Sequence, residues 1–223
     1  MCGRFTITTA LDEIMEHFAI SNPIDHDYYQ PSFNVAPSQN VLSVINDGAN
    51  NRLGYLHWGL IPPWAKDKNI GYKMINARAE TLSEKPSYRN AYKKRRCIVV
   101  ADSFYEWKRL DDKTKIPMRI KLKSNKLFGL AGLWETWKSN DETIHSCTII
   151  TTKPNELVAD IHDRMPVILK PQDEQTWLDP SITDTAQLSS LLIPYDAGEM
   201  DTYQVSPLVN SPKNNSMDLI QRV

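Results

Sequence analysis

Apolar residues recur along the chain with two spacings, one typical of helices and one typical of strands. Residues 10–19 place their apolar side chains on one helical face, which predicts a helix with Thr8 or Thr9 as its N-cap. Residues 41–46 and 52–60 are rich in alternating apolar side chains and are separated by an Asp-Gly turn signal. This pattern predicts a β-hairpin near the start of a sheet.

The central part of the chain predicts more strands, joined by short polar turns that favour antiparallel pairing. These strands are residues 97–101, 104–110, 116–122, 128–137 and 143–152, with later strands at 202–206 and 218–223. Helices are predicted at 87–96, 171–178 and 184–192, a proline-rich loop at 22–40, and a short extended segment at 74–78. No repeat or linker interrupts the pattern, so we expect one α+β domain over residues 1–223, a mainly antiparallel, barrel-like sheet with peripheral helices.

Composition places the chain among globular proteins. Hydrophobic residues make up 41% and charged residues 24% of its 223 residues, which excludes disordered and fibrous classes. The apolar runs are too short for a transmembrane helix, and the first residues lack the pattern of a signal peptide. We therefore expect no membrane attachment and a cytoplasmic location, at the nucleoid if the source is bacterial.

The formal net charge of −1 conceals two opposed regions. Residues 73–126 hold 16 Lys or Arg and 6 Asp or Glu, whereas the rest of the chain holds 10 and 21. Because electrostatic recognition is local, a near-neutral total does not exclude a nucleic-acid ligand. We expect part of the basic segment, together with Arg4 and Arg164, to form a cationic groove around Cys2.

The three cysteines do not have the spacing of a disulfide framework or a zinc site. Cys97 and Cys147 lie in apolar strand patterns and are expected to be buried thiols. Cys2 differs, because removal of Met1 would give it an α-amine and a thiol on adjacent carbons. Such an aminothiol condenses with an aldehyde to a Schiff base and closes to a thiazolidine ring. The simpler interpretation is that Cys2 is an ordinary residue near the start of the chain with no chemical role.

Other residues have side chains suited to proton transfer or to anion binding, and each also has an ordinary structural interpretation. Glu106 stands among aromatic residues in a predicted strand, where a raised pKa would suit a general acid or base. His162 lies between acidic residues and can exchange a proton near neutral pH. Asn76 can orient a nucleophile through its amide, and Arg78 suits a phosphate.

Six motifs, in this order, give these residues a common context. They are MCGRF at 1–5, NVAPSQ at 34–39, WGLIPPW at 58–64, INARAET at 75–81, ADSFYEWK at 101–108 and IHDRMPVIL at 161–169. In combination they resemble the SOS-response-associated peptidase (SRAP) family, which shields abasic sites in single-stranded DNA. The resemblance spans essentially the whole chain, with no departure at these motifs.

The resemblance implies a specific chemistry at the start of the chain. Met1 is removed by self-cleavage or by an aminopeptidase, and Cys2 then forms a thiazolidine crosslink with the ring-opened abasic aldehyde. Asn76 matches the residue that positions Cys2, and Glu106 matches the acid that assists ring opening and proton transfer. His162 matches the histidine that acts on the deoxyribose oxygen and in Schiff-base chemistry.

The resemblance also implies how the DNA is held. Arg4, Arg78 and Arg164 match phosphate-contacting positions. Further candidates for lining the DNA path are Asn34, Trp64, Trp107 and Thr151. The expected partner is single-stranded DNA with abasic sites, bound by a monomer, and the chemistry requires no metal or organic cofactor.

Three other functions remain open on the residues alone. Cys2, His162 and Glu106 would also suit a cysteine peptidase that hydrolyses other proteins. The basic segment and the tryptophans would suit a noncovalent single-strand DNA-binding module. The amine of Cys2 could instead support β-lyase strand cleavage through its Schiff base.

Overall fold

Two β-sheets with short helices around them make up the computed structural model, which describes residues 2–22, 26–139 and 142–223. The strands are β1 Phe5–Ile7, β2 Ser32–Val35, β3 Asn40–Asn46, β4 Asn51–Trp58, β5 Asn76–Arg78, β6 Arg96–Ala101, β7 Ser103–Arg109, β8 Lys115–Leu122, β9 Phe128–Lys138, β10 Thr143–Thr152, β11 Met165–Pro166 and β12 Met200–Gln204. The α-helices are α1 Leu11–His17, α2 Arg89–Lys94, α3 Glu156–Ala159, α4 Pro171–Leu178 and α5 Thr185–Ser190.

A closed barrel forms the larger sheet. Its strands follow the order β10-β4-β3-β6-β9, and β9 pairs with β10 to close the ring. Most neighbours are antiparallel, as the short turns predict, but β10 runs parallel to β4 and to β5. The interior is apolar, and the predicted α+β fold with a mainly antiparallel, barrel-like sheet is confirmed. Cys97 and Cys147 are buried free thiols in β6 and β10, also as predicted.

The smaller sheet places the start of the chain beside the barrel. Its order is β12-β8-β7-β1-β2, so β1 lies between β7 and β2. β7 follows β6 after a single residue, Asp102, and this corner connects the barrel to the smaller sheet. A second, smaller apolar cluster lies against this sheet and is built around Tyr105, Val205, Val209 and Leu219.

The predicted helix over residues 10–19 exists as α1, but its predicted cap is wrong. The N-cap residue is Ala10, which makes no side-chain capping bond. The hydroxyls of Thr8 and Thr9 donate instead to the carboxylate of Asp102. A buried carboxylate thus attracts both threonines away from the helix terminus.

Two other local predictions are corrected by tertiary contacts. The predicted loop over 22–40 contains the edge strand β2, which pairs with β1. The predicted strand over 218–223 is mainly a 3-10 turn at Met217–Ile220, with one bridge between Arg222 and Val205. The turn buries Leu219 in the smaller cluster, and this burial outweighs the β-pattern of the segment.

Within the described ranges, none of the helices combines the length and the apolar character that crossing a bilayer requires.

Candidate active site

Cys2 precedes β1, so the position of that strand sets the position of the Cys2 thiol. Phe5 of β1 lies opposite Phe104 of β7 on one side and Val35 of β2 on the other. Only 4% of the surface of Cys2 is exposed. Its Sγ lies 3.9 Å from the carbonyl oxygen of Arg164, close enough for a weak thiol hydrogen bond. A residue next to the chain terminus is therefore as buried as a core residue.

Asp102 anchors the segment that follows Cys2. Its carboxylate accepts hydrogen bonds from the Thr6 hydroxyl, from the Thr8 N–H at 2.5 Å and from the Thr9 N–H at 3.1 Å. Hydrogen bonds to a charged acceptor are roughly twice as strong as neutral ones. Sequence reasoning did not single out Asp102, although it belongs to the ADSFYEWK motif, because its role depends on contacts with a distant segment.

Asn76 holds the main chain of Cys2 from the barrel side. It begins β5, where it lies opposite Ile149 of β10. Its Nδ2 donates to the Cys2 carbonyl oxygen at 3.1 Å. Its Oδ1 is buried and, among the described residues, has no hydrogen-bond partner. A buried acceptor of this kind is costly, and it is available to a donor introduced beside Cys2.

Glu106 of β7 lies beside the thiol and is 2% exposed. Burial raises the pKa of the Cys2 thiol well above its usual range, and the charge and hydrogen bond of Glu106 raise it further. Arg164 acts in the opposite direction and lowers the pKa of Cys2. Burial and Glu106 prevail, so Cys2 is a neutral thiol next to a potential proton acceptor at neutral pH.

His162 lies between α3 and β11 and faces Glu106, with 3.9 Å between Nε2 and Oε2. Nδ1 lies 3.1 Å from the backbone N–H of Arg164 and 3.3 Å from the carbonyl oxygen of the same residue, so it has a partner as acceptor and as donor. Oδ1 of Asp163 lies 2.9 Å from the same Nδ1, a contact that suits the protonated ring. The ring thus has a partner in either charge state.

The structure brings together the four residues expected to carry the chemistry, Cys2, Asn76, Glu106 and His162, which we call the Cys2 group. They come from four separate places in the chain, namely the segment before β1, the start of β5, the middle of β7 and the turn before β11. Their grouping therefore depends on the pairing of both sheets.

Arg164 borders the Cys2 group and has a well-connected side chain. One guanidinium nitrogen, Nη1, donates to Oε1 of Glu80 at 2.8 Å, and the other, Nη2, donates to Oε2 at 2.9 Å. Nη2 also donates to the carbonyl oxygen of Thr151 at 2.6 Å. The hydrogen bond from Arg164 lowers the pKa of Glu80. Thr151 is buried, so it lies behind the arginine in this structure.

Arg4 lies on the other side of the start of the chain and is held by Asn34. Nη1 of Arg4 donates to Oδ1 of Asn34 and to the carbonyl oxygen of Val209, both at 2.7 Å. The guanidinium carbon is 5.7 Å from the centre of the Trp107 ring, whose indole N–H donates to Asn210 at 2.7 Å. Asn34 itself is 2% exposed, with its amide engaged by protein atoms.

Arg78 and Trp64 are exposed, but only Arg78 is tied to the other candidates by strand register. Arg78 lies opposite Thr151 in the pairing of β5 with β10. Trp64 is 59% exposed and lines a surface hollow with Lys66 and Lys73. None of the residues that line this hollow belongs to the Cys2 group.

Some cations of the basic segment serve the fold and not a groove at Cys2, whereas Arg78 of that segment is exposed and lies opposite Thr151. Arg96 is buried, donates to the carbonyl oxygens of Trp177 and Tyr92, and serves the packing of α4. Arg95 is paired with Glu135 at 2.6 Å, and Arg119 donates to Tyr203. These arginines stabilise the fold, so the charge excess of residues 73–126 is not a measure of the cationic surface at Cys2.

A cavity of about 460 Å³ beside β4 and β10 is lined by Tyr55, His57, Tyr72 and His145, among others. Its lining includes no member of the Cys2 group. The Cys2 site is therefore distinguished by its arrangement of reactive groups and not by cavity size.

Comparisons with known proteins agree with the motifs and with the fold. The model of the family "SOS response associated peptidase (SRAP)" matches residues 1–212. The chain is 65% identical over 222 residues to abasic site processing protein YoqW of Bacillus subtilis strain 168, and the match covers 99% of each chain. It is 30% identical over 266 residues to abasic site processing protein HMCES of Xenopus tropicalis, covering 100% of this chain and 78% of that one. A crystal structure of a protein from Bacteroides thetaiotaomicron is similar over 100% of both chains, with a TM-score of 0.89 and 29% identity.

Proposed function

Because this chain belongs to the SOS response associated peptidase (SRAP) family, we propose that it processes abasic sites in single-stranded DNA through a covalent bond to Cys2. The names of its curated relatives support the substrate. The observation that carries the chemistry is the burial of Cys2 between Asn76, Glu106 and the Arg164 carbonyl group. A noncovalent DNA-binding module gives this arrangement no role, whereas a peptidase for other proteins would use the same residues and is separated from the proposal by experiment.

The proposed reaction begins with Met1 removed, and Met1 lies outside the described residues. The free α-amine of Cys2 attacks the C1′ aldehyde of the opened abasic sugar, and loss of one water gives a Schiff base. The sulfur then adds to the same carbon, and the proton of the thiol ends on the ring nitrogen. One C–N and one C–S bond form, the carbonyl C–O bond breaks, and no oxidant or reductant is needed.

Each proton transfer in this reaction has a suitable side chain in the Cys2 group. The thiol is protonated at rest, so ring closure needs an acceptor, and Glu106 is the carboxylate next to it. His162, with Nε2 toward Glu106, exchanges protons with the sugar oxygens during ring opening. The vacant Oδ1 of Asn76 accepts a hydrogen bond from the Cys2 amine and aims it at the aldehyde.

The arginines around the Cys2 group hold the DNA by its phosphates, which requires no reading of sequence. Arg4, Arg78 and Arg164 are assigned this role. Buried Asn34 supports Arg4, and buried Thr151 supports Arg164. Trp64 is exposed and offers a face on which a base can stack. Trp107 is partly buried and acts through Arg4, which lies over its ring.

The test uses an oligonucleotide with one natural abasic site and the mature protein. We expect an adduct that survives denaturing electrophoresis without reductant, with a mass equal to protein plus DNA minus one water. Cys2→Ser keeps an amine but not the thiol, so it should give an adduct only after borohydride reduction. Equal unreduced yields from wild type and Cys2→Ser would refute the thiazolidine.

Self-cleavage of the Met1–Cys2 bond is a second candidate function of the same residues, supported by the contact between the Cys2 thiol and Glu106. The thiol adds to the Met1 carbonyl, the amine leaves with a proton, and water hydrolyses the thioester to release methionine. The intact mass of Glu106→Gln from the same preparation tests this step. Complete loss of Met1 in that variant would assign the removal to an aminopeptidase.

A further inference from the structure

Glu80 occupies the edge of Arg164 through which an arginine binds a phosphate. Its two carboxylate oxygens accept from Nη1 and Nη2 at 2.8 and 2.9 Å, the bidentate geometry that a phosphate also adopts. The contact is therefore a pairing of Arg164 with an acidic group of the protein itself, at a position where the proposed function needs a DNA phosphate.

The hydrogen bonds of the Arg164 guanidinium show how many of its N–H donors remain for a DNA phosphate. An arginine has five N–H donors, and Arg164 directs two to Glu80 and one to the Thr151 carbonyl oxygen. Its Nε is buried and has no partner among the described residues. One N–H of Nη1 is left for a phosphate, so a bidentate contact requires Glu80 to move away.

The Glu80 side chain has solvent beside it into which it can rotate away from Arg164. Glu80 lies in a single 3-10 turn, Ala79–Thr81, directly after β5, and its side chain is 52% exposed. The Arg164 side chain, in contrast, is 16% exposed and stays tied to β10 through Thr151. The carboxylate can rotate into solvent while the guanidinium stays in place.

Glu80 also acts on a second cation of the proposed DNA path. Arg78 is two residues away, and its charge contributes to lowering the pKa of the Glu80 carboxyl group. One carboxylate thus offsets part of the positive potential of two arginines at the edge of the Cys2 group.

We propose that Glu80 competes with a DNA phosphate for Arg164 and thereby sets the affinity and the salt dependence of DNA binding. This inference rests on the proposed function, since it takes Arg164 as a phosphate ligand. A ligand with phosphates must exchange with Glu80, whereas an aldehyde without phosphates reaches Cys2 with Glu80 in place. Glu80 is therefore a residue that favours DNA able to make this exchange.

The test compares Glu80→Gln with Glu84→Gln, which removes the same charge from an exposed position nearby in the chain. Binding is measured with a single-stranded oligonucleotide that carries a tetrahydrofuran abasic analogue, which cannot form the crosslink. We expect Glu80→Gln to lower Kd by about twofold to fivefold relative to Glu84→Gln, the range of a partly exposed ion pair. The plot of log K against log salt should become steeper by up to about 0.7, because in the wild-type complex the displaced Glu80 carboxylate stays near the phosphate and offsets part of the Arg164 charge.

Two further arms separate competition from other effects. In an Arg164→Gln background, the gain from Glu80→Gln over Glu84→Gln should shrink, because the contested arginine is gone and only the effect of Glu80 on Arg78 remains. An undiminished gain would overturn the competition. Thiazolidine formation with free 2-deoxyribose should be the same in wild type and Glu80→Gln. Equal Kd values for the two glutamine variants, or weaker binding by Glu80→Gln, would overturn the inference.

The crosslinking assay keeps this result apart from the proposed function. If wild type forms the adduct and the two glutamine variants bind equally, only the role of Glu80 is wrong. If wild type binds DNA but forms no adduct, and Glu80→Gln binds more tightly, the proposed chemistry is wrong and the competition stands.

Discussion

At the scale of single residues, the burial of Cys2 changes the chemistry that its position in the sequence indicates. An exposed N-terminal cysteine near neutral pH would be partly thiolate, since its usual pKa is about 8.5. Burial and the Glu106 carboxylate raise the pKa of this thiol and keep it protonated. A protonated thiol is a poor first nucleophile, which favours attack by the amine before ring closure by sulfur.

The substitution Glu106→Gln separates the role of Glu106 as a proton acceptor from its effect on the pKa of the Cys2 thiol. The glutamine cannot accept the thiol proton, so we expect adduct formation to slow by about 10²-fold. The same substitution removes a negative charge that raises the Cys2 pKa, so the pKa of the thiol should fall. Alkylation of Cys2 by iodoacetamide across a pH series measures this shift, with Cys2→Ser as the blank.

The two readouts of Glu106→Gln should move in opposite directions, with faster alkylation at a given pH and slower crosslinking. If crosslinking also becomes faster, Glu106 restrains the thiol and does not take its proton, and our assignment of the base is wrong.

At the scale of elements, helices outside the barrel are attached by polar contacts as well as by apolar packing. His17 at the end of α1 contacts both carboxylate oxygens of Glu174 in α4, at 3.2 and 3.0 Å. The hydrogen bond with Glu174 raises the pKa of His17, although partial burial opposes it. Burial raises the pKa of Glu174 and outweighs the attraction of His17. Both shifts mean that the folded protein holds protons more tightly than the unfolded chain does.

This pair predicts a pH dependence of stability. A raised His17 pKa stabilises the fold fully below about pH 6.5, the usual value for histidine, and the contribution is lost as pH rises through the folded-state pKa. The raised Glu174 pKa acts with the same sign at lower pH. We expect His17→Gln to lower the free energy of unfolding by about 1 kcal/mol at pH 6 and by less at pH 8.

Urea denaturation of both proteins at the two pH values checks the difference. His145→Gln is the control, because this histidine lies elsewhere, with its Nδ1 3.0 Å from the Thr136 hydroxyl. If the loss of unfolding free energy caused by His17→Gln is larger at pH 8 than at pH 6, the predicted pH dependence is wrong.

At the scale of the whole molecule, the segment after β12 connects the smaller apolar cluster to Asn34 and Arg4, which we propose as part of the DNA site. The carbonyl oxygens of Val209, Ser211 and Asn214 accept from the amide of Asn34. Oδ1 of Asn34 in turn accepts from Arg4. The end of the chain therefore supports an arginine at its beginning, through one buried side chain.

Asn34→Ala should weaken both the fold and the ligand site. Several buried hydrogen bonds disappear, so we expect the free energy of unfolding to fall by about 2–3 kcal/mol. Arg4 loses a partner that orients it, so binding of the tetrahydrofuran oligonucleotide should weaken by about tenfold. Leu208→Ala is the matched control, since Leu208 lies on the same segment and is exposed.

Denaturation and DNA titration of these two variants distinguish the outcomes. Loss of stability with unchanged DNA affinity would mean that Asn34 supports the fold alone and that Arg4 needs no orientation.

The sequence by itself determined the elements that depend on local pattern. The hairpin of β3 and β4, the strands from β6 to β10 and helices α1, α2, α4 and α5 lie close to their predicted ranges, because apolar periodicity reflects which face is buried. The four residues of the Cys2 group were also found from the sequence, through side-chain chemistry and the ordered motifs.

Only the tertiary structure decided how those residues act on one another. The parallel pairing of β10 with β5 brings Asn76 to Cys2, and the Asp102 corner pulls the start of the chain against β7. It also decided which charges serve packing, as for Arg96, and which are contested, as for Arg164 with Glu80. Such contacts join residues that are far apart in the chain, so a local sequence pattern does not show which residue will be the partner.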